Sequence, residues 1–382
     1  MTVALGIPSA KLIRTGPARP AGSSPTDAAR AERGPVVLPS DRPDASGLID
    51  RYGRSATDLR ISLTDRCNLR CTYCMPAEGL PFLPPPALMS LEEITRFARI
   101  AVTDFGVRQV RFTGGEPLLR KDLVEIVRAV AGLEPRPEIS LTTNAIGLSS
   151  RAEALAEAGL TRINVSLDSI EPETFAKITR RPFLSRVLAG IDAVGAAGLV
   201  STKINAVLMP GINDDQAVEL LDWALAGGHQ LRFIEQMALD ADHTWSRDAM
   251  ITADGIRQRL GVRYLLTPDD APRDGAPAEL FQVRERSAGP EGQMLGLVGI
   301  IASVSEPFCS DCRRTRLTAE GAVRSCLFSH TETDLLGPLR AGADDRELAD
   351  LWRGAMWAKP AGHEMNSVGF AQPDRPMSAI GG

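Results

Sequence analysis

The sequence has 382 residues, of which 43% are hydrophobic, and a formal net charge of −5. This composition is typical of a globular protein with a large core, and no apolar run approaches the roughly 20 residues of a membrane span. The acidic balance argues against nucleic-acid binding, so any anion site must be a local cluster of basic residues.

The start of the chain is compositionally unlike the rest. Residues 1–50 are rich in Ala, Pro, Arg, Ser and Gly, which predicts a disordered extension. The first residues do not show a basic region followed by an apolar stretch, so they do not predict a secretory signal. The six cysteines form two groups of three rather than a disulfide framework. These features together predict a reducing compartment, the cytoplasm.

Between residues 51 and 250, six short β-like runs alternate with amphipathic helical segments. The β-like runs cover 59–63, 109–112, 138–141, 162–167, 201–207 and 231–234. The helices fit 91–105, 122–130, 150–158, 182–197 and 214–226, and Ser90 with Glu93 resembles a capping box. Six successive β/α units predict a parallel sheet, either an open doubly wound sheet or a partial barrel.

The rhythm changes after about residue 250. Segments containing Pro and Gly separate short runs such as 295–303, which predicts a smaller, less regular domain over 251–335. The final part, 336–382, contains a helix at about 344–356 and a polar tail that ends Gly381-Gly382.

A loop directly after the first β-like run carries three cysteines, spaced Cys67-x3-Cys71-x2-Cys74. Structural zinc sites and ordinary electron-transfer 4Fe-4S clusters use four protein ligands. Three thiolates can instead hold three corners of a cluster and leave the fourth iron open to a small molecule. A zinc site with a fourth ligand from elsewhere is the alternative, although all four histidines are distant in sequence.

This loop resembles the signature of the radical S-adenosylmethionine enzymes. Alone, Gly114-Gly115-Glu116-Pro117 after the second β-like run is typical of a tight turn; beside the cysteine loop, it resembles the GGEP motif of that family. The resemblance implies a catalytic 4Fe-4S cluster on Cys67, Cys71 and Cys74, and contacts with S-adenosylmethionine from Tyr73, Gly115, Ser166 and Met237.

The second cysteine group, Cys309-x2-Cys312-x13-Cys326, also has three members. A zinc ribbon would prefer two complete pairs. The pattern and the terminal double glycine resemble the GTP 3′,8-cyclase family of molybdenum cofactor biosynthesis. That resemblance implies two 4Fe-4S clusters. It also implies a partial (β/α)6 TIM-like barrel with a smaller C-terminal α+β domain carrying the second cluster.

Basic residues interrupt the apolar β-like runs at Arg60, Arg111 and Lys203. A charge on the inner face of a barrel must be paired or bind an anion. For each residue, the alternative to an anion site is a salt bridge or a position at a strand end where the charge reaches water. The resemblance implies GTP contacts at Arg60, Arg111, Thr142, Lys203, Arg314, Thr315 and Arg316. Arg313 stands where many relatives have Asn and has no predicted role.

The resemblance also implies a reaction. An external reductant of the flavodoxin or ferredoxin type would supply one electron, S-adenosylmethionine would yield a 5′-deoxyadenosyl radical, and GTP would close to 3′,8-cyclo-7,8-dihydro-GTP. The expected partners are the next enzyme, cyclic pyranopterin monophosphate synthase, and a second copy of the chain in a homodimer. The alternatives are another radical enzyme with an auxiliary cluster, such as a peptide-modifying one, and a non-catalytic zinc-binding or electron-carrier protein.

Overall fold

The computed structural model describes residues 41–199, 202–367 and 369–381. Most of the predicted disordered extension therefore lies outside the described residues. Its last part was wrongly assigned, because residues 41–50 pack against the folded chain: Leu48 is fully buried. The buried Asp50 carboxylate accepts hydrogen bonds from the backbone N–H groups of Tyr52 and Arg54. One apolar side chain and one buried turn fix a segment whose composition alone suggests disorder.

The six predicted β-like runs are parallel strands. They are β1 Asp58–Ser62, β2 Gln109–Thr113, β3 Glu138–Thr143, β4 Arg162–Ser166, β5 Lys203–Val207 and β6 Gln230–Ile234. Each strand pairs in parallel with the next along the chain. This confirms the predicted parallel barrel sheet. Because side chains alternate between faces, every second residue points into the barrel.

Helices cover the outside of this sheet. They are α1 Leu91–Thr103, α2 Leu123–Ala131, α3 Ala152–Glu157, α4 Pro172–Thr179, α5 Leu184–Ala196 and α6 Ala217–Ala226. The capping box of Ser90 and Glu93 is present at the start of α1. The sequence analysis did not predict α4, which spans only eight residues. No helix in the described ranges is long and apolar enough to cross a membrane.

The C-terminal part extends the same sheet on both sides. Its strands are β7 Tyr264–Pro268, β8 Glu279–Glu285, β9 Met294–Ile301, β10 Arg314–Leu317, β11 Ala322–Arg324 and β12 Thr333–Asp334. β9 lies parallel to β6, and β10 lies parallel to β1. The strand order is β12-β11-β10-β1-β2-β3-β4-β5-β6-β9-β8-β7. The C-terminal residues therefore continue the barrel wall, although their helices and hairpins form a less regular region.

Four further helices complete the described chain: α7 Ala253–Leu260, α8 Leu336–Arg340, α9 Asp345–Trp357 and α10 Met377–Ile380. Trp352 on α9 is fully buried and makes edge-on ring contacts with Phe97 and Phe105. Its indole N–H donates to the Thr315 hydroxyl on β10 at 3.0 Å. The Thr315 side chain therefore faces α9, and alternation places Arg314 and Arg316 on the inner face of β10.

Candidate active site

A cavity of about 320 Å³ occupies the inside of the barrel. Both cysteine groups contribute to its wall, although they are far apart in the sequence. Residues from the carboxyl ends of the parallel strands line it as well, as expected for catalytic groups in parallel β/α folds. Its cysteines are Cys67, Cys71, Cys74, Cys309, Cys312 and Cys326.

The first cysteine loop, residues 67–74, is held by the end of α4. Arg180 follows α4 directly in the left-handed conformation. Its guanidinium donates to the carbonyl oxygens of Arg70 and Met75 at 3.0 and 2.9 Å. These two carbonyls flank the second and third cysteines. The short helix that the sequence analysis missed therefore fixes the shape of the loop.

Gly114 and Gly115 allow the turn after β2 to lie against the same loop. A Cβ at Gly114 would come within 2.4 Å of the Thr64 carbonyl oxygen, and one at Gly115 within 2.4 Å of the Arg66 carbonyl oxygen. The Gly115 N–H donates to the Thr64 carbonyl at 2.7 Å. Contact of Gly115 with a cofactor stays a prediction. What the glycines do within the fold is allow this close backbone approach.

Glu116 joins the turn to β3. Its buried carboxylate accepts hydrogen bonds from the Thr143 hydroxyl and the Asn144 N–H, both at 2.7 Å. Burial raises the pKa of Glu116 to about 7. The Asn144 amide in turn donates to the side chain of Asn68 at 2.7 Å. A chain of hydrogen bonds therefore runs from β3 through Asn144 to the cysteine loop, and the sequence analysis assigned no role to it.

Tyr73, Gly115, Ser166 and Met237, the predicted cofactor contacts, all line the cavity. The Tyr73 hydroxyl donates to the Asp168 carboxylate at 2.8 Å. Asp168 also accepts from the backbone N–H of Val207 at 2.8 Å, and burial raises its pKa to about 6. Asp168 is a polar cavity residue that the sequence analysis missed, although it stands at the end of the fourth β-like run.

The thiols of the first loop need a cationic centre to ionise. Burial raises the pKa of Cys67 to about 11 and that of Cys74 to about 12. All six cysteines are free, and coordination to a metal centre deprotonates a thiol outright. Among the described residues, no three His, Cys, Asp or Glu side chains are grouped closely enough for one metal ion. The buried thiols of this loop therefore become thiolates when they bind a metal centre.

Cys312 is in a different environment. Burial acts to raise its pKa, but Arg314 and Lys359 together lower it to about 6. The neighbouring segment is anchored by Arg54, which donates to the carbonyl oxygens of Cys309 and Pro360 at 2.7 and 2.5 Å. Cys312 therefore lies in a positively charged surrounding that favours a thiolate, whereas burial raises the pKa of Cys309.

Five arginines line the cavity: Arg60, Arg111, Arg232, Arg314 and Arg316. All except Arg232 were predicted GTP contacts, and Thr142, another such residue, lines the cavity as well. In the strand register Arg60 lies between Arg111 on β2 and Arg316 on β10. Arg232 interrupts the run of β6 as Arg60 interrupts that of β1, so the same reasoning applied to β6 would have found it.

Three of these arginines, Arg60, Arg232 and Arg316, are poorly compensated. Burial lowers the pKa of Arg232 to about 9 and that of Arg316 to about 10, and nearby arginines add to both effects. The Nε atoms of Arg60 and Arg232 have no hydrogen-bond partner among the described residues. Asp58 is a carboxylate within their field, and although burial opposes its ionisation, the arginines lower its pKa. The cavity is therefore suited to a polyanion.

Two predicted GTP contacts do not line the cavity. The Thr315 hydroxyl bonds to Trp352, so its side chain is directed away from the barrel interior. Lys203 lies two residues before Asn205, which lines the cavity on the same strand. Lys203 therefore lies on the same inner face of β5 as Asn205, but two residues further along the strand from the cavity.

Comparison with known proteins agrees with this site. The Radical SAM superfamily model matches residues 61–224, and the Molybdenum Cofactor Synthesis C model matches residues 229–365. A GTP 3′,8-cyclase of Paenarthrobacter nicotinovorans is 60% identical over 90% of this chain and 100% of its own. One of Mycolicibacterium smegmatis is 58% identical over 100% of both chains.

The chain belongs to the GTP 3′,8-cyclase family. Membership brings the cofactors of the radical S-adenosylmethionine superfamily, a 4Fe-4S cluster and S-adenosylmethionine. The GTP 3′,8-cyclase of Streptomyces coelicolor is 56% identical over 90% of this chain and 98% of its own. The identity therefore extends across both cysteine groups.

Solved structures show the same fold at low identity. SuiB of Streptococcus suis bound to S-adenosylmethionine matches with a TM-score of 0.55 and 16% identity, over 79% of this chain and 68% of SuiB. SuiB bound to its precursor peptide SuiA matches with a TM-score of 0.56 and 17% identity, over 79% and 67%. At these identities the likeness shows the radical S-adenosylmethionine fold alone.

In this member of the GTP 3′,8-cyclase family the C-terminal tail reaches the barrel opening. A Cβ at Gly381 would come within 2.9 Å of the Thr113 side chain and 3.0 Å of the Ser62 side chain. The Arg316 guanidinium donates to the Gly381 carbonyl at 3.4 Å. Gly382, the other half of the predicted double glycine, lies outside the described residues. The tail therefore needs a small residue where it lies against the paired ends of β1 and β2.

Arg375 anchors this tail. Its guanidinium contacts Glu320 and Glu332 at 2.8 and 2.7 Å and donates to the Ala379 carbonyl at 2.9 Å. Both carboxylate side chains are 8% exposed. The interaction is therefore largely shielded from solvent, and losing one partner of such a network is costly.

We expect Arg375→Met to release the tail from the barrel. The loss of the buried ion pairs removes about 3 kcal/mol of local stability, so residues 369–381 should exchange amide hydrogens faster. Hydrogen–deuterium exchange measures this directly. Arg340→Met, which removes a more exposed pair with Glu93, is the matched control and should leave tail exchange unchanged. Unaltered exchange in the Arg375 variant would show that the network does not hold the tail.

Proposed function

We propose that this chain converts GTP to 3′,8-cyclo-7,8-dihydro-GTP with S-adenosylmethionine, the first step of molybdenum cofactor biosynthesis. One observation carries the proposal: a single cavity is lined by two cysteine triads and five arginines. A radical-generating site and a polyanion site would therefore share one cavity. The relatives that share this sequence bear the name GTP 3′,8-cyclase.

At the first triad, we propose that Cys67, Cys71 and Cys74 hold the 4Fe-4S cluster. When bound, the cluster and S-adenosylmethionine supply the radical that takes hydrogen from the GTP ribose. The chain's own residues orient the cofactor and exclude water. Proposed contacts with S-adenosylmethionine are Tyr73, Gly115, Ser166 and Met237, supported by their place in the cavity wall. Asp168 joins them because its carboxylate fixes the Tyr73 hydroxyl.

At the polyanion site, the arginine side chains match the charge of a triphosphate. An anion there would restore the ordinary pKa of groups that burial and mutual repulsion now lower. Such pre-organised positive charge needs no rearrangement when GTP enters. The proposed GTP contacts are Arg60, Arg111, Thr142, Lys203, Arg232, Arg314 and Arg316, with Thr315 contributing through its backbone.

The second triad is proposed to hold a further 4Fe-4S cluster on Cys309, Cys312 and Cys326. Three thiol ligands again leave one iron open. Because these cysteines line the same cavity as Arg314 and Arg316, the open iron would face the nucleotide whose phosphates the arginines bind. Iron and sulfide analysis after reconstitution tests this assignment.

The wider setting is also proposed rather than observed. We infer a cytoplasmic enzyme that takes electrons from a flavodoxin or ferredoxin type of reductant and passes its product to cyclic pyranopterin monophosphate synthase. A homodimer is the proposed assembly. Sedimentation equilibrium of the reconstituted protein tests the dimer, and a coupled assay with the purified synthase tests transfer of the product.

The deciding experiment is anaerobic incubation of reconstituted protein with GTP, S-adenosylmethionine and dithionite, followed by product analysis. We expect 5′-deoxyadenosine and a cyclised GTP product in equal amounts. A reaction without GTP is the control, and it should yield no cyclised nucleotide. A colourless protein that binds zinc and cleaves no S-adenosylmethionine would contradict the proposal and favour a non-catalytic metal protein.

Lys203 provides a pH-dependent prediction. Burial, followed by the nearby Arg232 and Arg162, lowers the pKa of Lys203 to about 7. At pH 8 the amine is therefore mostly neutral, and a bound triphosphate should raise its pKa again. We expect GTP binding at pH 8 to take up close to one proton, measured by calorimetry in buffers of different ionisation enthalpy. Lys203→Met should abolish the uptake; equal uptake in both proteins would assign it to another group.

A further inference from the structure

Lys359 lies behind the second cysteine group, outside the cavity wall. It follows the C-terminus of α9 and is 2% exposed. Its ammonium group donates to the carbonyl oxygens of Arg314 and Cys312 at 2.8 and 3.2 Å, and to the Cys312 sulfur at 3.3 Å. An ammonium group has three donors, so each of its hydrogens has an acceptor on Cys312 or Arg314.

The charge of Lys359 lacks a carboxylate partner. In the described part of the chain, the hydrogen bonds of its ammonium group go to two backbone carbonyls and one sulfur, and none goes to an Asp or Glu. In the part of the chain that the structure describes, the Cys312 sulfur is the one anionic group that this ammonium contacts. A buried, unpaired ammonium is strongly unfavourable. The arrangement is therefore stable when Cys312 carries negative charge as a thiolate or as a metal ligand.

Lys359 differs from the other cation beside Cys312. Arg314 lines the cavity, so a substrate can reach it. Its guanidinium carbon also lies 4.7 Å from the centroid of the Phe308 ring. Lys359 is fixed by two backbone carbonyls and does not line the cavity. Its positive charge therefore stays at the sulfur whether or not a substrate is bound.

We propose that Lys359 is a positioning residue that fixes the Cys312 ligand and raises the reduction potential of the second iron–sulfur cluster. The inference rests on the proposed second cluster. Reduction adds one electron to a cluster, and a positive N–H donor at a ligand sulfur stabilises the more negative, reduced state. Hydrogen bonds to sulfur and local net charge are the means by which proteins set such potentials.

The test is a redox titration of the full-length reconstituted protein, followed by electron paramagnetic resonance. Dithionite reduces both clusters, and S-adenosylmethionine distinguishes them because it alters the signal of the first cluster only. In Lys359→Met we expect the equilibrium constant for reducing the second cluster to fall about tenfold, which is about 59 mV for one electron. The potential of the first cluster should be unchanged, and Lys359→Arg should keep most of the wild-type value.

Iron content is measured on the same samples, because a merely structural role would lower occupancy without shifting the potential. If Lys359→Met does not retain the cluster, Lys359→Gln, which keeps an N–H donor without the charge, takes its place in the titration. If the uncharged variant keeps both clusters and the second cluster has its wild-type potential, the proposed role of Lys359 is overturned while the second cluster stands. Only one cluster in the wild-type protein would overturn both this inference and the proposed second cluster.

Discussion

Replacing Cys71 with alanine should abolish cleavage of S-adenosylmethionine, whereas replacing Cys312 with alanine should leave cleavage measurable and abolish cyclisation of GTP. Cys71 is one of three thiols in the first loop, and two remaining thiolates cannot hold the cluster in place. Cys312 belongs to the second triad on the wall of the same cavity, where Arg314 and Lys359 lower its pKa. Anaerobic assays with dithionite, with chromatography of 5′-deoxyadenosine and of the nucleotide product, measure both steps.

The pair of variants is its own control, since each removes one thiol from one triad. Circular dichroism should show that both keep the wild-type fold. Equal loss of cleavage in both would mean that the two triads do not act separately. Cleavage that persists in the Cys71 variant would remove that residue from the proposed ligands of the first cluster.

Arg60→Met should weaken GTP binding and, at the same time, stabilise the protein without substrate. Arg60 is buried, its Nε has no partner among the described residues, and burial with the neighbouring Arg111 and Arg316 lowers its pKa. Loss of a buried charge contact costs about 2 kcal/mol or more in binding, which is about 30-fold in affinity. Removing an uncompensated charge should raise the free energy of unfolding by about 1–2 kcal/mol.

Equilibrium binding of GTP and chemical denaturation of the apoprotein measure the two effects. Arg284→Met is the matched control, because Arg284 lies on β8, bonds to Gly292 and Gln282, and does not line the cavity. It should leave GTP affinity unchanged and should not stabilise the fold. A destabilised Arg60 variant with wild-type affinity would mean that Arg60 is a structural residue.

The barrel strands could be predicted because short β-like runs alternate regularly with amphipathic helical segments along the sequence. The mixed edges of the sheet could not. Periodicity predicts that 295–303 is β-like, but the parallel pairing of β9 with β6 depends on contacts between distant parts of the chain. The short α4 and the packing of Leu48 share this limitation, because tertiary contacts, rather than local propensity, stabilise them.

The residues of the candidate site also divide into those that the sequence predicts and those that it does not. Cysteine spacing and strand arginines are visible in the sequence, and the structure brings them to one cavity. Glu116, Asp168 and Lys359 act through partners far away in the sequence, so no local pattern distinguishes them from ordinary polar residues. For Thr315 the motif suggested a contact, but strand alternation turned its hydroxyl outward to Trp352.

The pairing of β1 with β10 has a consequence for how the chain folds during synthesis. Asp58 lies opposite Arg314, so one edge of the first strand remains open until about 250 further residues have been made, and such non-local pairing forms late. The loop with Cys67, Cys71 and Cys74 follows that strand directly. We therefore expect a chain truncated before β10 to bind little iron although it retains the first triad, and the barrel becomes ready for its cluster only as its last strands emerge from the ribosome.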